Sequence, residues 1–166
     1  MNKILITAIG TDRPGLVNKI TSAINYNNGN IDNSKMIKIN NQFAIIIDFS
    51  LSGEIESILS ELKKIKDLEF SYKKIKTDNL NNRIAKTYLM KGADDQGIIN
   101  TISEYFKKKQ VNIIEIDTFI ELAPITGAPL FNMKISIDSN NESDLNQMTK
   151  EISEICKNLN LDITLI

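Results

Sequence analysis

An α+β fold, built twice from the order β-α-β-β-α-β, follows from three observations on this 166-residue sequence. Strand and helix periodicities alternate along the chain. The alternation passes through the same order twice. Two short glycine-containing loops, Gly10–Gly15 and Gly92–Gly97, hold the same place in each half, 82 residues apart. A unit of this order closes into a ferredoxin-like sandwich, an antiparallel sheet with two helices on one face. The prediction is two tandem ferredoxin-like βαββαβ units. In each, the first and third strands are central and the fourth lies at an edge.

The elements of the first half are read in turn. Lys3 to Ile9 is a short β-rich run. After the turn Gly10-Thr11-Asp12-Arg13-Pro14-Gly15, the residues Leu16, Val17, Ile20, Ala23 and Ile24 recur at helical spacing, and Asn28-Gly29 ends the helix. Asn30 to Ile39 and Phe43 to Leu51 read as strands about the tight turn Asn40-Asn41. Ile55, Ile58, Leu59, Leu62 and Ile65 mark a second helix, and Leu68 to Ile75 a closing strand. The strand Phe43 to Phe49 is almost continuously apolar, which predicts that its outer face packs on the other half or on a second subunit.

The second half repeats the order. Ala85 to Lys91 is a strand, Gly92 to Gly97 the turn, and Ile98, Ile99, Ile102, Tyr105 and Phe106 a helical stripe. Asn112 to Leu122 and Leu130 to Asp138 are strands. Leu145, Met148, Ile152, Ile155 and Leu159 mark a helix, and Leu161 to Ile166 the last strand. In Leu130 to Asp138, Phe131, Met133, Ile135 and Ile137 alternate with Asn132, Lys134, Ser136 and Asp138, which predicts one buried face and one wet face. Gly10, Asp12 and Gly15 match Gly92, Asp94 and Gly97 without a gap, and Asn30-Ile31 matches Asn112-Ile113 at the same offset. The registers part at the second hairpin, where Ala123 to Pro129 replaces Asn40-Asn41. The polar segment near Asn79 to Arg83 sets the boundaries: residues 1–77 as the first unit, 78–84 as linker, and 85–166 as the second unit.

Composition narrows the function. A net charge of −1 gives no electrostatic footprint for direct nucleic-acid binding. The lysine clusters Lys63-Lys64, Lys73-Lys74 and Lys107-Lys108-Lys109 read as solvated faces near helix ends. No apolar run is long enough to cross a bilayer. The lone Cys156 lies beside a helical stripe as a packing residue, and a single cysteine fits a cytoplasmic protein. The absence of histidine removes the commonest general base and metal ligand. With no paired cysteines, metal-spaced cluster or phosphate loop, the expectation is a protein without catalytic residues, metal or cofactor.

Each glycine loop ends a strand and opens a helix, where unpaired N–H groups meet the positive end of the helix dipole. That junction suits a carboxylate, and it is equally a well-made turn. Asp12 and Asp94 are candidate side-chain caps, Pro14 suits the first helical turn, and Gly15 permits close backbone approach. Arg13 offers a fixed charge for a carboxylate, whereas the second loop carries Asp95 and Gln96 at the corresponding places. Adjacent Asp94 and Asp95 disfavour an anion, so the two loops are not equivalent. Asn30 and Asn112 either orient a ligand or satisfy a turn. Pro124 and Pro129 bracket Thr126-Gly127 in a stiff hairpin tip, which is either a partner contact or a structural insertion.

The stretch Gly10-Thr11-Asp12-Arg13-Pro14-Gly15-Leu16-Val17 resembles the signature loop of ACT domains, small regulatory domains that often sense amino acids. Two such units without a catalytic or DNA-binding domain, together with Glu121 to Phe131, resemble the glycine cleavage system transcriptional repressor family. The resemblance implies ligand binding between the first loop of one unit and a neighbouring unit. Carried over, the candidate residues are Asp12, Arg13, Pro14, Gly15, Leu16, Asn30 and Ile31 in the first unit. In the second, where Asp95-Gln96 departs from the pattern, they are Asp94, Gly97, Ile98, Asn112 and Ile113. It further implies an amino-acid effector such as glycine, a homodimer formed through the ACT-like sheets, and repression through a DNA-binding activator protein without direct nucleic-acid contact. The competing expectations are a pure interaction module that binds no ligand, and a small enzyme using carboxylates or tyrosine.

Overall fold

A computed structural model of the chain describes residues 2–76, 84–139 and 141–166. Two compact units divide it, Met1–Asn79 and Leu80–Ile166. The expected linker, residues 78–84, falls outside the described residues except for Ile84, which begins a strand.

The first unit consists of β1 (Asn2–Thr11), α1 (Leu16–Tyr26), β2 (Gly29–Ile39), β3 (Gln42–Leu51), α2 (Glu56–Lys63) and β4 (Leu68–Ile75). Its sheet is antiparallel in the order β2-β3-β1-β4, with the first and third strands central, as the element order predicted. The spacing of Leu16, Ile20, Ala23 and Ile24 puts them on one face of α1, and all four are buried. They meet Ile4, Ile6 and Ala8 of β1, Phe43, Ile45, Ile47, Phe49 and Leu51 of β3, and Ile58 and Leu62 of α2.

The second unit repeats this with β5 (Ile84–Ala93), α3 (Ile98–Lys108), β6 (Asn112–Leu122), β7 (Pro129–Ser139), α4 (Glu142–Asn158) and β8 (Leu161–Leu165). Its sheet runs β6-β7-β5-β8. Ile98, Ile102 and Phe106 of α3 pack with Leu145, Met148, Ile152 and Cys156 of α4 on the β7 residues Phe131, Met133, Ile135 and Ile137. Tyr88 is buried, and its hydroxyl pairs with Thr149 Oγ1 at 2.8 Å, so β5 is tied to α4 by a polar contact inside the core.

The duplication extends to backbone irregularities. A register shift lies between Ile31 and Asn33 in β2, and its counterpart lies between Ile113 and Glu115 in β6. Asn28 and Gln110, just beyond the first helix of each unit, both take left-handed φ, 59° and 56°. Gly10 and Gly92 end their central strands beneath the turn that enters the fourth strand. A Cβ would stand 2.3 Å from the Asp67 carbonyl oxygen at Gly10 and 2.4 Å from that of Asn160 at Gly92.

One expectation is corrected. Of the β7 residues assigned to the wet face, Asn132, Ser136 and Asp138 are buried. The outer face of this central strand is covered by longer side chains from its neighbours. Lys91 of β5 bridges to Glu121 of β6, and that carboxylate also accepts a hydrogen bond from Asn132. Strand alternation assigns faces, but it cannot register how far neighbouring side chains reach across them.

Two outcomes follow. Gly10→Ala forces a Cβ against a backbone carbonyl and lowers stability by about 1–3 kcal/mol, which a shifted urea midpoint measures; an unchanged midpoint contradicts the close approach. Cys156 is fully buried, and burial pushes its thiol up to about 11. It therefore stays unmodified by a thiol reagent at mildly alkaline pH in the folded protein and reacts on unfolding.

Candidate functional site

The first loop leaves β1 at Thr11 and enters α1 through Gly15, whose φ of 83° is left-handed. Gly97 does the same in the second unit at φ 85°. Open space surrounds both positions, so glycine is required there by backbone conformation and not by crowding.

No side chain caps either helix. Asp12, expected as a cap, instead pairs with Lys38 of β2 at 2.6 Å, while its amide bonds to the Asn41 carbonyl at 2.8 Å. In the second loop Asp95 accepts a bond from the amide of Gln96, its own neighbour, at 2.7 Å. Pro14 sits in the turn before the helix, not in its first turn. The physical reason is the left-handed glycine: it occupies the cap position itself and directs the preceding residues away from the helix axis. The Leu16 amide bonds to the Arg13 carbonyl at 3.3 Å.

Arg13 is held by the α2–β4 turn. Its guanidinium donates to the Lys66 carbonyl and stands 3.9 Å from the Asp67 carboxylate. The fixed charge lies at the loop, and it is already engaged. Asp12 through Leu16 border an open depression of about 650 Å³, with Val17, Asn18 and Thr21 of α1, Met36 of β2 and Phe43 of β3. Sequence reading did not select Met36 or Phe43, because only sheet registration brings the end of the β2–β3 hairpin beside this loop. Their signal was their place next to the Asn40-Asn41 turn.

The structure separates the two parts of each predicted site. Asn30 pairs with Ser50, and Ser50 with Lys3 at the start of β1. The loop follows the other end of that strand. Asn30 and Ile31 therefore lie at the opposite end of the sheet from Asp12–Leu16. Asn112 and Ile113 stand likewise apart from Asp94, Gly97 and Ile98 in the second unit, opposite Asp138 and Ile137, whose β5 partners are Ala85 and Lys86. Asn30 donates to Asp32 at 3.4 Å, and Asp32 is bound by Lys3 at 3.0 Å and Ser50 at 2.8 Å. Hydrogen bonds from Lys3 and then Ser50 hold the Asp32 carboxyl below its ordinary range. Asn30 thus joins a polar cluster within its own unit.

The hairpin tip between β6 and β7 is closed by Ala123 N–H to Ala128 O at 2.8 Å and by Gly127 N–H to Ala123 O at 2.9 Å. Gly127 is left-handed at φ 68°, and Thr126 Oγ1 accepts from the Ala128 amide at 3.3 Å. Between Pro124 and Thr126, Ile125 is 98% exposed, an apolar side chain presented by a braced loop. Among the described residues there is no cluster of three or more metal-ligating side chains, and no helix is long and apolar enough to cross a membrane.

Residues 2–75 match the family model described as the ACT domain. The match spans nearly the whole first unit, and the second unit of the chain repeats that unit's topology. The chain resembles the glycine cleavage system transcriptional repressor of Escherichia coli K12, with 24% identity over 162 residues covering 95% of this chain and 85% of that protein. The repressor of the same name from Shigella flexneri matches equally. A crystal structure of an unknown protein from Galdieria sulphuraria superimposes with a TM-score of 0.87 at 23% identity, covering 99% of this chain and 96% of that one. Another, provisionally assigned as a glycine cleavage system transcriptional repressor, gives a TM-score of 0.67 at 19% identity over the same shares of the two chains. These two superpositions establish the fold.

Because the left-handed backbone alone demands glycine, Gly15→Ala and Gly97→Ala each cost about 1–2 kcal/mol. Equal losses in chemical denaturation are the expected result. A neutral substitution at either site shows that the loop relaxes out of the left-handed conformation.

Proposed function

We propose that this chain is a non-catalytic, amino-acid-responsive transcriptional regulator that acts in the cytoplasm through protein contact. Glycine is the candidate effector, a DNA-binding activator the candidate partner, and the working form a homodimer assembled through the sheets. Residues 1–77 and 85–166 are its two units, joined by 78–84. The kinship with repressors of the glycine cleavage system supports the regulatory reading.

The observation that carries the ligand part is the open depression at the first loop, where Arg13, the first turn of α1 and the apolar side chains of Leu16, Val17 and Met36 converge. A small amino acid fits the chemistry of such a place. Its carboxylate meets a guanidinium and helix-end amides, and its short side chain needs little apolar room. The primary contacts are Asp12, Arg13, Pro14, Gly15 and Leu16, completed by strand-entry residues of the kind of Asn30 and Ile31 from a neighbouring unit. The second loop, with Asp94, Gly97 and Ile98 and the strand entry Asn112 and Ile113, binds an anion less well because it carries Asp95 where the first has Arg13. The tip at Pro124, Thr126, Gly127 and Pro129, with Ile125 exposed between them, is the candidate surface for the activator.

A second reading has its own support. Arg13 already has partners in Lys66 and Asp67, which favours a module that has given up the ligand and kept the protein contact.

Calorimetry of the full chain against glycine and the other common amino acids separates the two. On the sensor reading, wild type binds at or below millimolar concentration. Arg13→Ala then weakens binding by roughly tenfold or more, the loss of a charge-assisted hydrogen bond. Absence of binding in every assembly state removes the sensor and leaves the interaction module.

A further inference from the structure

Arg13 is shared between two parts of the first unit. It borders the depression at the first loop, whose other wall includes Met36 of β2 and Phe43 of β3. Its guanidinium is engaged at the α2–β4 turn, and β4 lies on the other side of β1 in the sheet order β2-β3-β1-β4. There Nη2 donates to the Lys66 carbonyl, and Nη1 stands 3.9 Å from the Asp67 carboxylate. Neither Lys66 nor Asp67 borders the depression. A carboxylate bound there therefore gains the guanidinium only by drawing it from the turn.

The duplication shows that the turn itself does not need the Asp67 carboxylate. Gly10 pairs with Leu68 and Gly92 with Leu161, so Asp67 and Asn160 are counterparts. Both take a left-handed φ of 53°, and the carbonyl of each closes on the glycine of the adjacent central strand. Asn and Asp both tolerate that backbone region, and in the second unit a neutral Asn meets the same demands. Of the described non-glycine residues in this region, Asn28, Asn40, Asp67, Gln110 and Asn160, Asp67 alone is charged. Its ionic partner changes with it. At the offset of 82, Asp95 stands in the place of Arg13. The unit with a cation at its loop carries an anion at its turn. The unit without that cation carries an uncharged amide there.

We infer that Asp67 sets the affinity of the first loop for a ligand carboxylate, by competing with that carboxylate for Arg13. The inference rests on the amino-acid site proposed above and adds to it a residue that lies outside the depression. Asp67 is a positioning residue: it acts on the ligand through Arg13. The pair is long, and the Asp67 side chain is 75% exposed, so water screens it. A competitor of that strength lowers affinity without abolishing binding. It also gives binding a structural consequence. When the ligand takes Arg13, the side-chain tie between the glycine loop and the turn that enters β4 is released.

Titration of the full chain with glycine, followed by NMR chemical shifts, tests this as a double-mutant cycle. Asp67→Asn keeps a residue suited to the left-handed turn, as Asn160 is, and circular dichroism verifies the fold. It tightens glycine binding by about two- to fivefold, the worth of an exposed ion pair. The same substitution made on Arg13→Ala gives no tightening. Binding by Asp67→Asn where wild type shows none also supports the competition. Three results overturn it. A wild type that binds, and that Asp67→Asn leaves unchanged or weakens, removes the competition and leaves the amino-acid site standing. Tightening that persists on Arg13→Ala shows that Asp67 acts as a distant charge and not through Arg13. Absence of binding by both wild type and Asp67→Asn removes the competition and the site together.

Discussion

Each unit rests on the burial of one sheet face beneath two helices. In the first, the apolar stripes of α1 and α2 close on alternate residues of β1 and β3. In the second, α3 and α4 close on β7 and β5. The central strands feel this most, because they are held on both sides by hydrogen bonds and on one face by helices. Their ends are consequently fixed points, and each glycine loop springs from such an end. The loop geometry is inherited from the core: Gly10 and Gly92 admit the turn entering the fourth strand so closely that no side chain fits.

That placement explains how one architecture yields two unlike loops. The backbones of Gly15 and Gly97 are nearly superimposable in conformation, with φ of 83° and 85°. The difference is carried by side chains. In the first unit Asp12 and Arg13 both reach neighbouring elements, one to Lys38 and the other to the α2–β4 turn. In the second, Asp95 accepts a hydrogen bond from the amide of the next residue, Gln96. The repeat keeps the same loop scaffold in both units, and the local charges separate the two copies. The strand edges diverged in the same way, with lysines on β2 where β6 holds Asp117 and Ile120.

Much of the fold was legible in the sequence. The stripe Leu16, Ile20, Ala23 and Ile24 and the alternation Phe131 to Ile137 mark elements whose period depends on the chain's own geometry. The constant offset between the glycine loops disclosed the repeat. The site was only partly legible. Asp12 and Asp94 were read as caps because caps are recognised by residue type next to a helix start, yet a left-handed glycine displaced them. Asn132 was read as wet because alternation does not see Glu121 and Lys91 lying across it. Met36 and Phe43 were missed at the loop because no local pattern links residue 36 to residue 12.

The sequence by itself determined the element order, the duplication, the chemistry lacking without histidine, and the inequality of the two loops. Those properties are local or additive along the chain. Only the tertiary structure decided that Arg13 is held by Lys66 and Asp67, that Asp12 pairs with Lys38, and that Asn30 lies across the sheet from the loop it was grouped with. The reason is registration. Which residues meet across an antiparallel sheet is set by strand pairing and by the packing of helices above it, and sequence separation carries no measure of either.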